Sequence, residues 1–138
     1  MNSLRDQLIR DEGMRLKPYT DSVGKLTIGC GRNLTDKGIS LLEADVLLDH
    51  DITEAAAEVT AAFPWSVTGL DDVRREVLIN MSFNMGIGSV QQFTKALAAL
   101  EAQNWIAAAH EMLQSKWAKQ VGPRAQRLAD QITTGVRQ

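Results

Sequence analysis

Between Ser40 and Phe63 the chain carries neither glycine nor proline, and Pro64 closes the run. A stretch that long without a backbone breaker, opened by Ser40-Leu41-Leu42-Glu43 in capping-box order, predicts a single long helix over about 41–63. Its charged residues Glu43, Asp45, Asp49, Asp51, Glu54 and Glu58 are all acidic, which reads as a solvated face. Upstream the punctuation is dense. Ser3 can cap a first helix with Asp6 in its first turn, Leu4 and Leu8 mark one face, and Gly13 stops it. From Arg15 to Leu34, Leu16, Tyr19, Leu26, Thr27 and Ile28 alternate with Pro18, Gly24, Gly29 and Gly31. Asp21-Ser22-Val23-Gly24 reads as the turn between two short antiparallel strands. Downstream the pattern is helical again. Val73, Val77, Leu78, Met81 and Met85 keep helical spacing up to Gly86, and the Ile, Met and Phe content predicts a central helix buried on most sides. Further helices are expected over Phe93–Leu100 and Trp105–Leu113, and from Pro123 through Leu128 and Ile132. The class is α+β and mostly helical: a small sheet lobe, a long connecting helix and a larger helical lobe.

The 138 residues allow one compact core, with no repeat or linker to divide it into large domains. Cys30 is the only cysteine, so no intramolecular disulfide is possible; flanked by Gly29 and Gly31, it is expected to be a small core residue. No apolar stretch of signal-peptide length opens the chain, and no run is long enough to span a membrane, so no export address is expected. The formal net charge is −2, which does not suggest a nucleic-acid binder. It is uneven: residues 1–63 hold 7 Lys/Arg against 11 Asp/Glu, and residues 64–138 hold 8 against 6. The basic excess of the second part suits an anionic polymer, or is an ordinary fluctuation. His50 and His110 lie far apart, outside any zinc-binding spacing, and are expected on helix surfaces. A phosphate loop and a serine-nucleophile elbow are both missing, and Gly29-Cys30-Gly31 is too short for a dinucleotide fingerprint.

What remains is a carboxylate constellation near the start. Glu12 sits at the end of the first helix, Asp21 in the hairpin turn and Thr27 on the returning strand. A helix end and a hairpin can bring three such groups round one cleft. Cleaving a glycosidic bond requires a carboxylic acid for the leaving oxygen and a carboxylate that activates water or attacks carbon. The other reading of the same residues is that they are capping or solvated groups.

Asp11-Glu12-Gly13-Met14-Arg15-Leu16-Lys17-Pro18-Tyr19, then Asp21, then Leu26-Thr27-Ile28-Gly29-Cys30-Gly31 resembles the catalytic segment of the phage-type lysozymes, glycoside hydrolase family 24. Asp72-Val73-Arg74-Arg75 with Leu78 through Gly86, Phe93-Thr94, Ser115-Lys116-Trp117 and Pro123-Arg124-Ala125 resemble the helical lobe of the family's T-even members. The resemblance implies a lysozyme-like single domain over 1–138. Its sheet lobe would cover about 13–40, its connecting helix about 41–63, and its helical lobe about 64–138 with the N-terminal helix. It implies a peptidoglycan hydrolase that cleaves the β-1,4 bond between N-acetylmuramic acid and N-acetylglucosamine by inversion, without cofactor or metal. Glu12 would be the general acid, Asp21 would hold or activate the water, and Thr27 would help place it. Gly31, Asn33, Phe83 and Arg124 are assigned to substrate binding, with Arg124 close to the catalytic glutamate; core packing for Phe83 and a surface ion pair for Arg124 are the plainer readings.

There are departures from the family pattern. Arg32 stands where many members have His, Asn33 replaces an apolar residue, and Ala96 and Glu111 stand where a polar side chain and an amide contact sugar. The stretch between hairpin and long helix is also shorter. The implied setting is an endolysin for host lysis, a monomer without nucleic-acid or stable membrane partners, held in the host cytoplasm until a membrane pore opens. A lytic transglycosylase and an inactive wall-binding module are the rivals. Asp21 and Thr27 speak against the first, and the intact trio against the second.

Overall fold

The computed structural model describes residues 3–138. The chain divides into two compact units that meet inside the long helix, between Leu47 and Leu48. The first unit opens with helix α1, Leu4–Glu12. Ser3 caps it reciprocally: its Oγ accepts from the Asp6 N–H at 3.1 Å, while Asp6 Oδ2 accepts from the Ser3 N–H at 3.0 Å. Gly13, at φ 79°, ends it and donates its N–H to the Ile9 carbonyl at 2.8 Å. Strands β1 (Arg15–Thr20), β2 (Leu26–Gly29) and β3 (Arg32–Asn33) form an antiparallel sheet in sequence order. Tyr19 pairs with Thr27, and Thr27 with Asn33. The β1–β2 register breaks between Arg15 and Tyr19, the stretch that holds Pro18, whose nitrogen has no hydrogen to donate. The two-residue β3 goes beyond the two strands expected.

Helix α2, Leu41–Ala62, runs from the first unit into the second. Ser40 and Glu43 form the expected capping box, with bonds of 2.9 and 3.1 Å. Glu43 also meets Arg32 at 2.8 Å, tying β3 to the start of α2. That guanidinium bond, followed by the Ser40 N–H and hydroxyl, pulls the Glu43 carboxyl down to about 2. Cys30 is only partly buried, contrary to expectation. It lies where the chain reverses from β2 to β3, between two glycines of positive φ.

The second unit holds α3 (Trp65–Gly69), α4 (Asp72–Met85), α5 (Ile87–Val90), α6 (Thr94–Glu101), α7 (Trp105–Leu113), α8 (Lys116–Val121) and α9 (Pro123–Thr134). Pro123 occupies the first turn of α9, as its missing N–H and fixed φ favour. Leu78, Met81, Leu100, Met112 and Ile132 form the centre of the core. Buried alanines at 108 and 109 on α7 and at 125 and 129 on α9 let these helices approach closely. Helix α4 is not buried on most sides. Val77, Leu78, Met81 and Ser82 face inward, but Glu76 and Asn80 punctuate the other side, and Phe83 is 47% exposed. Its apolar composition overstates its burial.

Candidate active site

Glu12 is the last residue of α1, and the positive-φ turn at Gly13 carries the chain away beneath it. Its carboxylate accepts no hydrogen bond from the described residues. Gly31, at φ 70°, comes so close that a Cβ there would lie 3.2 Å from Glu12 Oε2. Both residues line a cavity of about 320 Å³ with Leu8, Ile9, Met14 and Cys30. Asp11, one residue earlier, is engaged with Arg10 at 2.9 Å.

Asp21 is set by the hairpin turn. Its Oδ1 accepts from the N–H groups of Val23 at 3.0 Å and Lys25 at 2.8 Å, while its Oδ2 has no partner among the described residues. Thr27 is buried, and its hydroxyl donates to the Lys25 carbonyl at 3.0 Å. The same carbonyl accepts the Asp21 N–H at 2.9 Å. Lys25 therefore knits Asp21 and Thr27 into one assembly through backbone groups alone. Neither residue lines the cavity at Glu12.

Asn33, on β3, is committed to its loop: Nδ2 donates to Asp36 Oδ2 at 3.0 Å, and Oδ1 accepts the Asp36 N–H at 3.0 Å. In the second unit, Phe83 and Arg124 line a cavity of about 600 Å³ with Leu48, Ile52, Ile79 and Asn80. Arg124 donates through Nε and Nη2 to Asn80 Oδ1, at 3.1 and 2.8 Å. Ala96 and Glu111 share another cavity, of about 500 Å³, with Phe93, Lys95, Lys116 and Trp117. Trp117 is held there by its indole N–H, which donates to Asn84 Oδ1 at 2.9 Å. Sequence reasoning gave no role to Asn80 or Asn84. Each is an amide on α4 whose partner lies more than thirty residues away, and no local pattern announces such a pairing. His50 and His110 are both exposed; His50 clusters with Asp51 and Glu54 on the surface of α2.

The family model for phage lysozyme matches residues 10–132, from just before Glu12 to the last turn of α9. The chain belongs to the phage lysozyme family. The α+β architecture agrees with that membership, and the family makes this enzyme a glycosidase, a peptidoglycan hydrolase of the muramidase type. Two probable T4-type lysozymes of Dictyostelium discoideum are each 29% identical to it over 163 residues, covering 98% of this chain and 96% of theirs. The pre-baseplate central spike protein Gp5 of Enterobacteria phage T4 is 30% identical over 162 residues. That match takes in 96% of this chain but only 28% of the spike protein.

Proposed function

We propose that this lysozyme cleaves the β-1,4 bond between N-acetylmuramic acid and N-acetylglucosamine by inversion, with Glu12 as general acid, Asp21 as base and Thr27 placing the water. The observation that carries the reading is the assembly built on Lys25. Because the Thr27 proton is committed to the Lys25 carbonyl, its oxygen is left as an acceptor. Asp21 keeps Oδ2 free. A water giving one hydrogen to each would aim its lone pair at the anomeric carbon. As the carbon–oxygen bond breaks, Glu12 gives its proton to the leaving oxygen and Asp21 takes one from the water. This chemistry calls for no metal or cofactor. Gly31, Asn33, Phe83 and Arg124 are proposed to bind the glycan. The lobe division expected from the sequence goes with this reading.

The cellular setting we attach to it is host lysis by a monomeric endolysin, kept in the host cytoplasm until a membrane pore opens. Among the described residues no helix is long and apolar enough to cross a membrane. Anomer-resolved analysis of products from purified peptidoglycan tests the mechanism. Inversion delivers the α-anomer at a new reducing N-acetylmuramic acid. A β-anomer would assign Asp21 as nucleophile, and anhydro ends would identify a transglycosylase.

A further inference from the structure

The cavity of about 500 Å³ lies wholly in the second unit, and its charged lining is Lys95 of α6, Glu111 of α7 and Lys116 of α8. Arg10, Arg32, Arg74 and Arg137 each have a carboxylate partner. The side chains of Lys95, Glu111 and Lys116 have no ionic or hydrogen-bonding partner among the described residues. Glu111 is partly buried, so its carboxylate gives up hydration with nothing in return. Helix stability does not account for these charges either. Glu111 stands in the last turn of α7, where the unpaired carbonyls already make the helix end negative. Lys95 stands in the first turn of α6, the positive end. The helices would favour the reverse of both. What suits this lining is an occupant with charges of both signs and an apolar part to lie against Phe93 and Trp117. The sugars of peptidoglycan are uncharged, since the muramic carboxyl is taken up in the amide that attaches the peptide. The charges of the polymer sit on its peptide stems, as carboxylates and as the second amino group of a diamino acid. That group is an ammonium near neutral pH in an uncross-linked stem, and a neutral amide in a cross-linked one.

We propose that Glu111 is a specificity-determining residue: it takes the free ammonium of an uncross-linked peptide stem and leaves Lys95 and Lys116 for the stem's carboxylates, so that the enzyme prefers uncross-linked wall. This rests on the reading of the chain as a peptidoglycan hydrolase. The test uses purified peptidoglycan rich in uncross-linked diamino-acid stems, and the same material with its amino groups chemically acetylated. Acetylation removes the ammonium and leaves every glycosidic bond in place. It should lower the wild-type kcat/KM by about three- to tenfold, through KM, as expected for one charge-assisted hydrogen bond at a partly exposed site. Glu111→Gln should show about the same loss on untreated wall and none further on acetylated wall. Glu111→Lys should be worse still on untreated wall, where like charges meet, and should match Glu111→Gln after acetylation. Glu101→Gln removes an equal charge from the exposed end of α6, outside the cavity, and should keep the wild-type response. Glu111→Gln should melt no lower than the wild type, because it removes an anion from the negative end of a helix. Equal wild-type rates on the two walls would overturn the proposal, as would an acetylation loss that persists in Glu111→Gln or disappears in Glu101→Gln. A clearly lower melt for Glu111→Gln would place the partner of the carboxylate within the fold, with the same consequence. Both walls carry the same glycan bonds, so β-anomeric or anhydro ends would remove the inverting mechanism and leave this comparison standing.

Discussion

A single atom separates the catalytic candidate from an inert one. Glu12→Gln keeps shape and loses the proton, so peptidoglycan hydrolysis should fall by at least the 10²–10⁴-fold typical of general acids, with an unchanged melt. Asp11→Asn should be nearly silent, since Asp11 is engaged with Arg10 instead. Turbidity clearing on purified walls reads both. Gly31→Ala inserts a methyl 3.2 Å from Glu12 Oε2 at a φ of 70°. It should cost about 1–3 kcal/mol of backbone strain and shift the carboxylate, lowering activity more than the melt explains. Arg32 carries a pH prediction. Its bond to Glu43 is the largest of the contacts, with the Ser40 N–H and hydroxyl, that lower that carboxyl to about 2 from an ordinary 4.5. The stabilisation is complete above the ordinary value and is lost as pH falls through the lowered one. Acidification from pH 5 to 2 should therefore lower the Tm of the wild type more steeply than that of Arg32→Ala. Equal slopes would show that the pair contributes nothing.

The elements were legible where local chemistry sets their ends. Ser3 and Ser40 cap helices, Gly13 and Gly86 stop them, and Pro64 and Pro123 mark a stop and a start. The short α3, α5 and α8 were missed because four to six residues hold less than two turns of pattern. The C-terminal end of α9 shows what a helix can gain from another element. Arg74 of α4 donates from Nε to the Ile132 carbonyl at 2.6 Å and from Nη2 to the Thr133 carbonyl at 3.3 Å. It stacks 4.2 Å from the Trp105 ring and pairs with Asp71 at 3.1 Å. A cation at the carboxyl end of a helix meets a partial negative charge, the favourable sense. Gly135 makes room for it: at φ 71° a Cβ would lie 2.9 Å from Arg74 Nη1. Gly135→Ala and Arg74→Ala should each destabilise by about 1–3 kcal/mol in urea melts, without moving the pH profile of hydrolysis.

At the scale of the molecule, burial is distributed unequally. The buried hydrophobic residues run from Ala55 to Ile132, all in the second unit. In the first unit Thr27 is the one buried residue among those described, while Leu16, Val23, Leu41 and Leu42 are each at least 75% exposed. Apolar burial drives folding, so the first unit holds too little of it to offset its own chain entropy. A chain of residues 48–138 should keep helical circular dichroism and melt cooperatively, whereas residues 3–47 alone should show no cooperative transition. Met112→Ala, at the centre of the core, should cost about 2–5 kcal/mol. A cooperative melt for the short fragment would refute this account.

By itself the sequence determined the breaks, the caps, the class and the segment proposed to be catalytic. Glu12, Asp21 and Thr27 sit in one short stretch whose geometry comes from a helix stop, a tight turn and a returning strand. Those are set by bonds between near neighbours, which residue types at fixed offsets disclose. Tertiary structure alone decided which faces were buried and which distant side chains met. Asn80 finds Arg124 across 44 residues, Trp117 finds Asn84 across 33, and Arg74 reaches Ile132 across 58. Each of these bonds exists only because apolar faces elsewhere pack at a particular angle, and periodicity shows that a face is apolar without showing what it packs against.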